Sequence, residues 1–273
     1  MRNYQFNLIA IIVAALVISI SSPTFAKTLK FNSLGEKAQP LSGELHLPKT
    51  GNKPFPVVVL VHGTGFSGER YNFHRPAFLE AGIATFEVDF HSGIFTGSQN
   101  RPKAGKMVPF AYGALRALRN DPSIDGNKIA IMGFSLGGAI TVKSMRLVLK
   151  KDSLDENEKG FAGHVAFYPA CKRQKIDPKV TGAPLLVLNG ELDTYSDGKS
   201  CESWAKKYEA SNPGLVTMKI YPGVHHGFDM KGYHKGKDSI SSGGISILEY
   251  NEKAAKDSRQ QAVEFLKNIF EMT

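Results

Sequence analysis

Ser135 lies in a glycine-rich pattern whose residue types and spacing could support nucleophilic chemistry. Residues 128–132 form a short, mostly apolar run, and Gly-Phe-Ser-Leu-Gly follows at 133–137, before residues with helical character. A strand, a sharp turn and a helix in this order would raise the serine hydroxyl above a sheet, beside a helix N-terminus that favours developing negative charge. The glycines would let the two backbones pass closely. Because such turns also occur for packing alone, the pattern needs partners elsewhere in the chain.

An acid and a base follow Ser135 in the chain, each in the turn after an apolar run. Asp193 comes after the run at 184–188, and His226 comes after the run at 215–221. The carboxyl ends of parallel strands meet at one edge of an open sheet, so we expect Ser135, Asp193 and His226 to converge there. The sequence therefore predicts a serine, acid and histidine triad.

The chemistry of such a triad assigns a role to each side chain. His226 would take the proton from Ser135 and return it to a leaving group, while Asp193 would fix the imidazole tautomer and stabilise the imidazolium. The developing oxyanion needs backbone N–H donors, and we expect Leu136 and Thr64 to supply them.

Two of these roles have alternative candidates in the sequence. Glu191 and Asp197 could take the place of the acid, although the position within the Asn-Gly-Glu-Leu-Asp turn favours Asp193. His225 is the alternative to His226 as the base, and we expect it to be a solvent-facing or supporting group.

The remaining histidines show no spacing that is typical of metal ligands, so we predict no metal site and no cofactor. His62 is expected to bond the backbone of the loop that carries Thr64. The other five are His46, His74, His91, His164 and His234.

Strands and helices alternate from residue 56 onward, and the strands are continuously apolar. This pattern predicts one α/β domain with a mostly parallel, twisted sheet of about eight strands and helices on both faces. Polar loops are expected at 91–106 and 227–250, either above the site or simply solvated. Strands are expected at 28–35, 41–47, 56–61, 84–89, 128–132, 161–168, 184–188 and 215–221, and helices at 71–81, 107–119, 136 to about 149, 201–210 and 252–272.

The first 26 residues read as a secretory signal peptide. Residues 8–20 are almost wholly apolar, and 13 residues are fewer than the roughly 20 that a membrane-spanning helix needs. A helix-breaking Ser-Ser-Pro and a Thr-Phe-Ala cleavage triplet follow at 21–26. We expect a mature protein of residues 27–273, periplasmic or secreted, with no membrane span after cleavage. An uncleaved N-terminal anchor is the alternative.

Cys171 and Cys201 are the two cysteines of the chain, and in an exported protein they are expected to form a disulfide. The bridge would tether the turn that presents Asp193. The formal net charge is +9, but the lysines are scattered and no nucleic-acid motif is present, so we predict no nucleic-acid partner. The sequence does not indicate an oligomeric state.

Four segments together resemble the α/β-hydrolase superfamily, and most closely its dienelactone hydrolase family. They are 62–65, 133–138, 189–193 and 221–228, with Leu-Glu-Tyr at 248–250 resembling the C-terminal end of that family. The resemblance spans about residues 40–270 and implies the α/β-hydrolase fold. It also implies that the catalytic histidine is the one directly before Gly-Phe, which is His226.

Two positions depart from the dienelactone hydrolases proper. Ser135 stands where that family carries a cysteine nucleophile, and Gly63 stands where it carries a glutamate. The resemblance therefore implies hydrolysis of small carboxylic esters in general, with an acyl-enzyme and no cofactor. A peptidase-like amide hydrolase and a secreted binding protein that uses the same pocket are the alternatives.

Overall fold

The computed structural model describes residues 26–64, 68–90, 102–171, 177, 179–232, 236–241 and 244–272, with backbone alone for 236–241 and 244–246. The predicted signal peptide, apart from Ala26, and residues 91–101 of the first predicted loop lie outside the described residues. Among the described residues, no helix combines the length and apolar character needed to cross a membrane.

The strands and helices lie close to their predicted positions. The strands are β1 (Lys27–Asn32), β2 (Pro40–His46), β3 (Phe55–Val61), β4 (Ala84–Asp89), β5 (Ile124–Phe134), β6 (His164–Phe167), β7 (Leu185–Gly190), β8 (Val216–Tyr221), β9 (Gly236–Ser241) and β10 (Gly244–Leu248). The helices are α1 (Gly68–Glu80), α2 (Val108–Arg119), α3 (Leu136–Ser144), α4 (Leu147–Lys151), α5 (Gly198–Ser211) and α6 (Glu252–Ile269). A short 3-10 turn at Ala104–Met107 leads into α2.

The described part of the chain forms one eight-stranded sheet with the order β1-β2-β4-β3-β5-β6-β7-β8. Strands β3 to β8 run parallel to one another, whereas β1 pairs with β2, and β2 with β4, in antiparallel fashion. This architecture confirms the predicted α/β fold with a mostly parallel sheet. It brings the ends of β3, β5, β7 and β8 to one edge, where the predicted site residues follow.

Strand β3 shows why the central strands are continuously apolar. Val57, Val59 and Val61 belong to the core on the face that α2 covers, while Val58 and Leu60 belong to the core beneath α1 and α6. Successive side chains of a strand point to opposite faces, so a strand covered on both faces must be apolar throughout. Helices on both faces are thus confirmed.

Two predicted elements differ in the structure. The helix predicted from 136 to about 149 is interrupted, because Arg146 adopts an extended backbone and pairs with Val180. The second predicted loop, 227–250, contains the antiparallel hairpin of β9 and β10. The sequence of this segment is rich in glycine and serine, which indicates a loop, although it also contains Ile240, Ile245 and Ile247, which are β-branched and favour strands.

Candidate active site

Ser135 sits at the apex of the turn between β5 and α3. Its backbone has φ 53° and ψ −108°, a conformation that non-glycine residues rarely adopt. The turn requires close backbone contacts, because a Cβ atom on Gly133 would lie 2.1 Å from the carbonyl oxygen of Gly137, and one on Gly137 would lie 2.2 Å from that of Val61. The two glycines of the motif are therefore needed sterically, as the sequence predicts.

Hydrogen bonds hold this turn on both sides. The amide of Ser135 donates to the carbonyl of Phe167 on the neighbouring strand at 3.0 Å, and its carbonyl accepts from Ala139 at 2.9 Å. Leu136 is the first residue of α3, and the first N–H groups of a helix lack acceptors within the helix. The amide of Leu136 is thus of the kind that can bind an oxyanion.

His226 joins the serine to an acid. Its Nε2 atom lies 3.0 Å from Oγ of Ser135, and its Nδ1 atom lies 2.7 Å from Oδ2 of Asp193. A carboxylate only accepts hydrogen bonds, so Nδ1 carries the proton and Nε2 can accept the one on Ser135. Three residues far apart in the chain therefore form one continuous hydrogen-bonded row.

Asp193 follows β7 and is almost completely buried. Its second oxygen, Oδ1, accepts from the amide of Ser196 at 2.8 Å. One oxygen is thus occupied by the backbone, so the other is directed at the imidazole. The turn that presents the acid is itself fixed before helix α5 begins.

The alternative acids bond elsewhere. Glu191 accepts from the amide of Gly223 at 2.8 Å, and Asp197 caps helix α5 by accepting from the amide of Ser200 at 3.2 Å. Neither carboxylate bonds the imidazole of His226. Of the three candidate acids, Asp193 is the one that does.

The alternative base, His225, is occupied by other groups. Its Nδ1 atom lies 3.2 Å from the carbonyl oxygen of Leu192, and its Nε2 atom lies 3.7 Å from the carboxylate of Glu249. Of the two histidines, it is His226 whose imidazole reaches Ser135.

Two tyrosines flank the imidazole of His226 and were not predicted from the sequence. The ring centroid of Tyr168 lies 4.5 Å and that of Tyr195 4.8 Å from the centroid of the imidazole. Tyr168 has a positive φ of 39° and comes directly after β6. No motif contains these residues, and only the predicted end of β6 could have pointed to Tyr168.

The loop after β3 lies against the serine turn. Nε2 of His62 accepts from the amide of Phe90 at 3.1 Å, so Nδ1 carries the proton and donates to the carbonyl of Gly63 at 2.7 Å. A Cβ atom on Gly63 would lie 3.5 Å from Cβ of Ser135. Thr64 comes next and is exposed, while Gly65 lies outside the described residues.

Cys171 and Cys201 form a disulfide in the structure, as predicted. Cys201 lies on α5, the helix that begins beyond the Asp193 turn, and Cys171 lies a few residues beyond the end of β6. Both sulfur-bearing residues are buried in a small core with Trp204. The bridge therefore joins the segment after Tyr168 to the helix that follows the acid.

A cluster of two carboxylates and one histidine was not predicted from the sequence. Ligand atoms of Glu44, His46 and Glu87 lie within 4.8 Å of one another, on the neighbouring strands β2 and β4. However, Nη1 of Arg75 donates to Glu87 at 2.6 Å and lies 3.4 Å from Nε2 of His46. The guanidinium of Arg75 thus already pairs with one of the two carboxylates of this cluster.

Comparisons with known proteins agree with the fold. A sequence model of the dienelactone hydrolase family matches residues 94–270, and one of FrsA-like esterases matches residues 18–153. Esterase FrsA of Klebsiella pneumoniae subsp. pneumoniae is 32% identical over 122 residues, which are 44% of this chain and 28% of that protein. Esterase FrsA of Escherichia fergusonii is 30% identical over 105 residues, 38% of this chain and 25% of that protein. The matched region thus spans about a quarter of the length of these relatives.

Two solved structures share the fold at low sequence identity. A putative dienelactone hydrolase from Klebsiella pneumoniae is 17% identical with a TM-score of 0.62, covering 89% of this chain and 98% of its own. Esterase 2 of Thermogutta terrifontis with bound propionate is 16% identical with a TM-score of 0.64, covering 90% and 94%. The family model covers well over half of the chain, and so this protein belongs to the dienelactone hydrolase family.

Proposed function

We propose that this protein hydrolyses small carboxylic esters through a covalent acyl-enzyme formed on Ser135. The observation that carries the proposal is the row of hydrogen bonds from Asp193 to His226 at 2.7 Å and from His226 to Ser135 at 3.0 Å. The esterases among the relatives support ester over amide substrates. Ser135 and Gly63 replace the cysteine and glutamate expected in dienelactone hydrolases proper, which supports a general ester as substrate.

The reaction proceeds in two steps. Oγ of Ser135 attacks the ester carbonyl carbon while Nε2 of His226 takes the hydroxyl proton, and Asp193 stabilises the imidazolium. The bond to the alcohol oxygen then breaks, and the imidazolium gives its proton to the departing alcohol. Water then attacks the acyl-enzyme while Nε2 of His226 takes its proton. The bond between the acyl carbon and Oγ of Ser135 breaks, the imidazolium returns the proton to Oγ, and the carboxylic acid leaves.

The negative oxygen of both tetrahedral intermediates needs fixed donors. The amides of Leu136 and Thr64 are the proposed pair, since one begins helix α3 and the other follows the loop packed against the serine. Losing one such donor typically raises the barrier by about 3–4 kcal/mol. The proposal thus assigns stabilisation of charge to the backbone and proton transfer to the side chains.

A fluorophosphonate probe tests the nucleophile without knowledge of the substrate. We expect the wild type to be labelled on Ser135, and the Ser135→Ala variant to remain unlabelled. Ser211→Ala, at an exposed serine at the end of α5, is the matched control and should be labelled as the wild type is. An unlabelled wild type would contradict the proposal and favour a binding protein.

A panel of chromogenic esters graded by acyl chain length, with the corresponding anilides, then identifies the substrate class. We expect turnover of esters to exceed that of anilides, and turnover in Ser135→Ala to fall to background. Faster hydrolysis of the anilides would instead indicate a peptidase-like enzyme.

We propose further that the protein is exported and cleaved after Ala26. The apolar run at 8–20 and the disulfide between Cys171 and Cys201 support this, since structural disulfides persist in oxidising compartments. N-terminal sequencing of protein recovered from the periplasm or medium of an expressing bacterium should begin at Lys27. An Ala26→Gln variant, with a bulky residue at the cleavage position, should accumulate uncut. Recovery of intact protein in the cytoplasm alone would contradict the proposal.

A further inference from the structure

A completely buried carboxylate lies three residues after His226. Oδ2 of Asp229 accepts from Nε of Arg70 at 3.2 Å and from Nε2 of His74 at 3.0 Å, and Oδ1 accepts from the hydroxyl of Tyr168. Burial alone would raise the pKa of Asp229, but Arg70, His74 and Tyr168 together hold it well below its usual range. Asp229 is therefore ionised and saturated with donors from two other segments of the chain.

The helix that supplies two of these donors also contacts the serine turn. The guanidinium of Arg70 lies over the ring of Phe134, 4.9 Å from its centroid, and Phe134 directly precedes Ser135. A Cβ atom on Gly63 would lie 3.5 Å from Nη1 of Arg70. The ion pair with Asp229 thus links the loop that carries the base to the backbone around the nucleophile.

Tyr168 links the same carboxylate to the imidazole. Its hydroxyl donates to Asp229, its ring lies 4.5 Å from the ring of His226, and its carbonyl accepts from Oγ of Ser196 at 2.6 Å. Ser196 in turn donates its amide to Asp193. Tyr168 therefore contacts the proposed base, His226, directly. It is also connected to the proposed acid, Asp193, through hydrogen bonds of Ser196.

Stability alone is a weak reason for such a network. A buried ion pair loses hydration that its own attraction barely offsets, and apolar replacements of similar volume are often as stable or more stable. Both oxygens of Asp229 do, however, have donors, and a buried polar group whose own bonds are made favours one geometry of the groups around it. Fixed geometry matters most next to a group that must transfer a proton to a defined atom.

We infer that Asp229 and Tyr168 are positioning residues that hold the imidazole of His226 in line with Ser135. The inference rests on the proposed function. Asp229 anchors the loop of His226 on helix α1, and the tyrosine ring, fixed by its bond to Asp229, sets the plane of the imidazole. Neither residue exchanges a proton with the substrate.

The variant Tyr168→Phe tests the inference more cleanly than Asp229→Asn, which leaves Arg70 buried beside a neutral partner and endangers folding. Phenylalanine keeps the ring against His226 and removes the hydroxyl that donates to Asp229. We expect kcat to fall roughly tenfold to a hundredfold, because small displacements of a catalytic group have effects of that size. KM should stay within about twofold, since binding of the ester is not altered.

Tyr112→Phe is the matched control. The hydroxyl of Tyr112 donates to the carbonyl of Ser144 at 2.6 Å, and its side chain is completely buried in the core on the other face of the sheet. This variant also loses a buried tyrosine hydrogen bond, so it should lose similar stability while kcat stays unchanged. An equal fall of kcat in both variants would show a merely structural effect and overturn the inference.

Proton NMR of protein labelled with ¹⁵N-histidine gives a readout that does not depend on turnover. The Nδ1 proton of His226, assigned by its loss in His226→Asn, should exchange with water at least about tenfold faster in Tyr168→Phe than in the wild type, because the imidazole is less well held. Unchanged exchange together with unchanged kcat would overturn the inference. Failure of the fluorophosphonate to label wild-type Ser135 would instead refute the proposed function and leave the NMR result to decide the positioning role.

Discussion

A Cβ atom on Gly133 would lie 2.1 Å from the carbonyl oxygen of Gly137, at the point where strand β5 passes helix α3. The contact involves backbone that cannot move aside without distorting the turn. It is this close approach that allows Ser135 to adopt its positive φ of 53°. The glycines of the motif are thus required by geometry, independently of any reaction.

Gly133→Ala should therefore destabilise the protein and disturb the turn together. We expect a loss of about 1–3 kcal/mol in the free energy of unfolding, as for overpacked cores, and a fall in esterase activity beyond the loss of folded protein. Gly68→Ala is the control, because a Cβ atom there meets nothing within 4 Å. Urea unfolding monitored by circular dichroism gives the free energy of unfolding of both variants, and ester turnover per folded protein gives their activity. Equal stability of the two variants would contradict the steric argument.

Asp193→Asn should abolish most activity without unfolding the protein. The asparagine is nearly isosteric and can still accept from the amide of Ser196, but it cannot stabilise the imidazolium of His226. We expect kcat to fall roughly 10³- to 10⁴-fold, the size of effect seen when the acid of such a triad becomes an amide. Glu191→Gln and Asp197→Asn, at the alternative acids, should retain kcat within about threefold. A larger loss in either would assign the acid differently.

The sequence was sufficient to predict the fold and the convergence of Ser135, Asp193 and His226, and their catalytic roles stay a prediction. Each of these residues follows the carboxyl end of a strand within five residues, and parallel strands present their carboxyl ends at one edge of the sheet. The alternation of apolar strands with helices indicates a parallel sheet, and the carboxyl ends of its strands then determine where the three side chains come together. No side-chain contact had to be known in advance.

Tyr168, Tyr195 and Asp229 could not be predicted in the same way. Asp229 looks like an ordinary loop acid in the sequence, and its burial depends on Arg70 and His74 from a helix more than 150 residues away. The hairpin of β9 and β10 was missed because serine and glycine dominate its composition. Contacts between distant elements, rather than local pattern, decide these features.

The disulfide between Cys171 and Cys201 should contribute substantially to stability. It closes a loop with a sequence separation of 30 residues, and the chain-entropy model assigns about 3–4 kcal/mol to a loop of that length. For a domain of this size the melting temperature should fall by roughly 7–15 °C when the bridge is removed. Melting of the wild type with and without reductant measures this, and the Cys171→Ala, Cys201→Ala double variant, insensitive to reductant, is the control. An unchanged melting temperature would refute the structural role of the bridge.

His164 should make the protein less stable as the pH falls below neutrality. Burial lowers the pKa of its imidazole to about 4, with a partly opposing hydrogen bond to the carbonyl of Pro184. Its Nε2 atom has no hydrogen-bond partner among the residues that the structure describes, so a proton there would be unsatisfied. Between the ordinary pKa of 6.5 and about 4, the unfolded chain therefore binds a proton that the folded chain does not.

The resulting slope is about 1.4 kcal/mol per pH unit, or roughly 3 kcal/mol across that interval. His46 and His74, whose pKa values burial also lowers, add to the slope of the wild type. The variant His164→Leu keeps those two contributions and removes only its own, so the difference between the proteins isolates His164. Urea unfolding of both at pH 7.5, 6.5, 5.5 and 4.5 should give a smaller pH dependence in the variant. Parallel curves would mean that His164 is protonated in the folded protein as readily as in the unfolded chain.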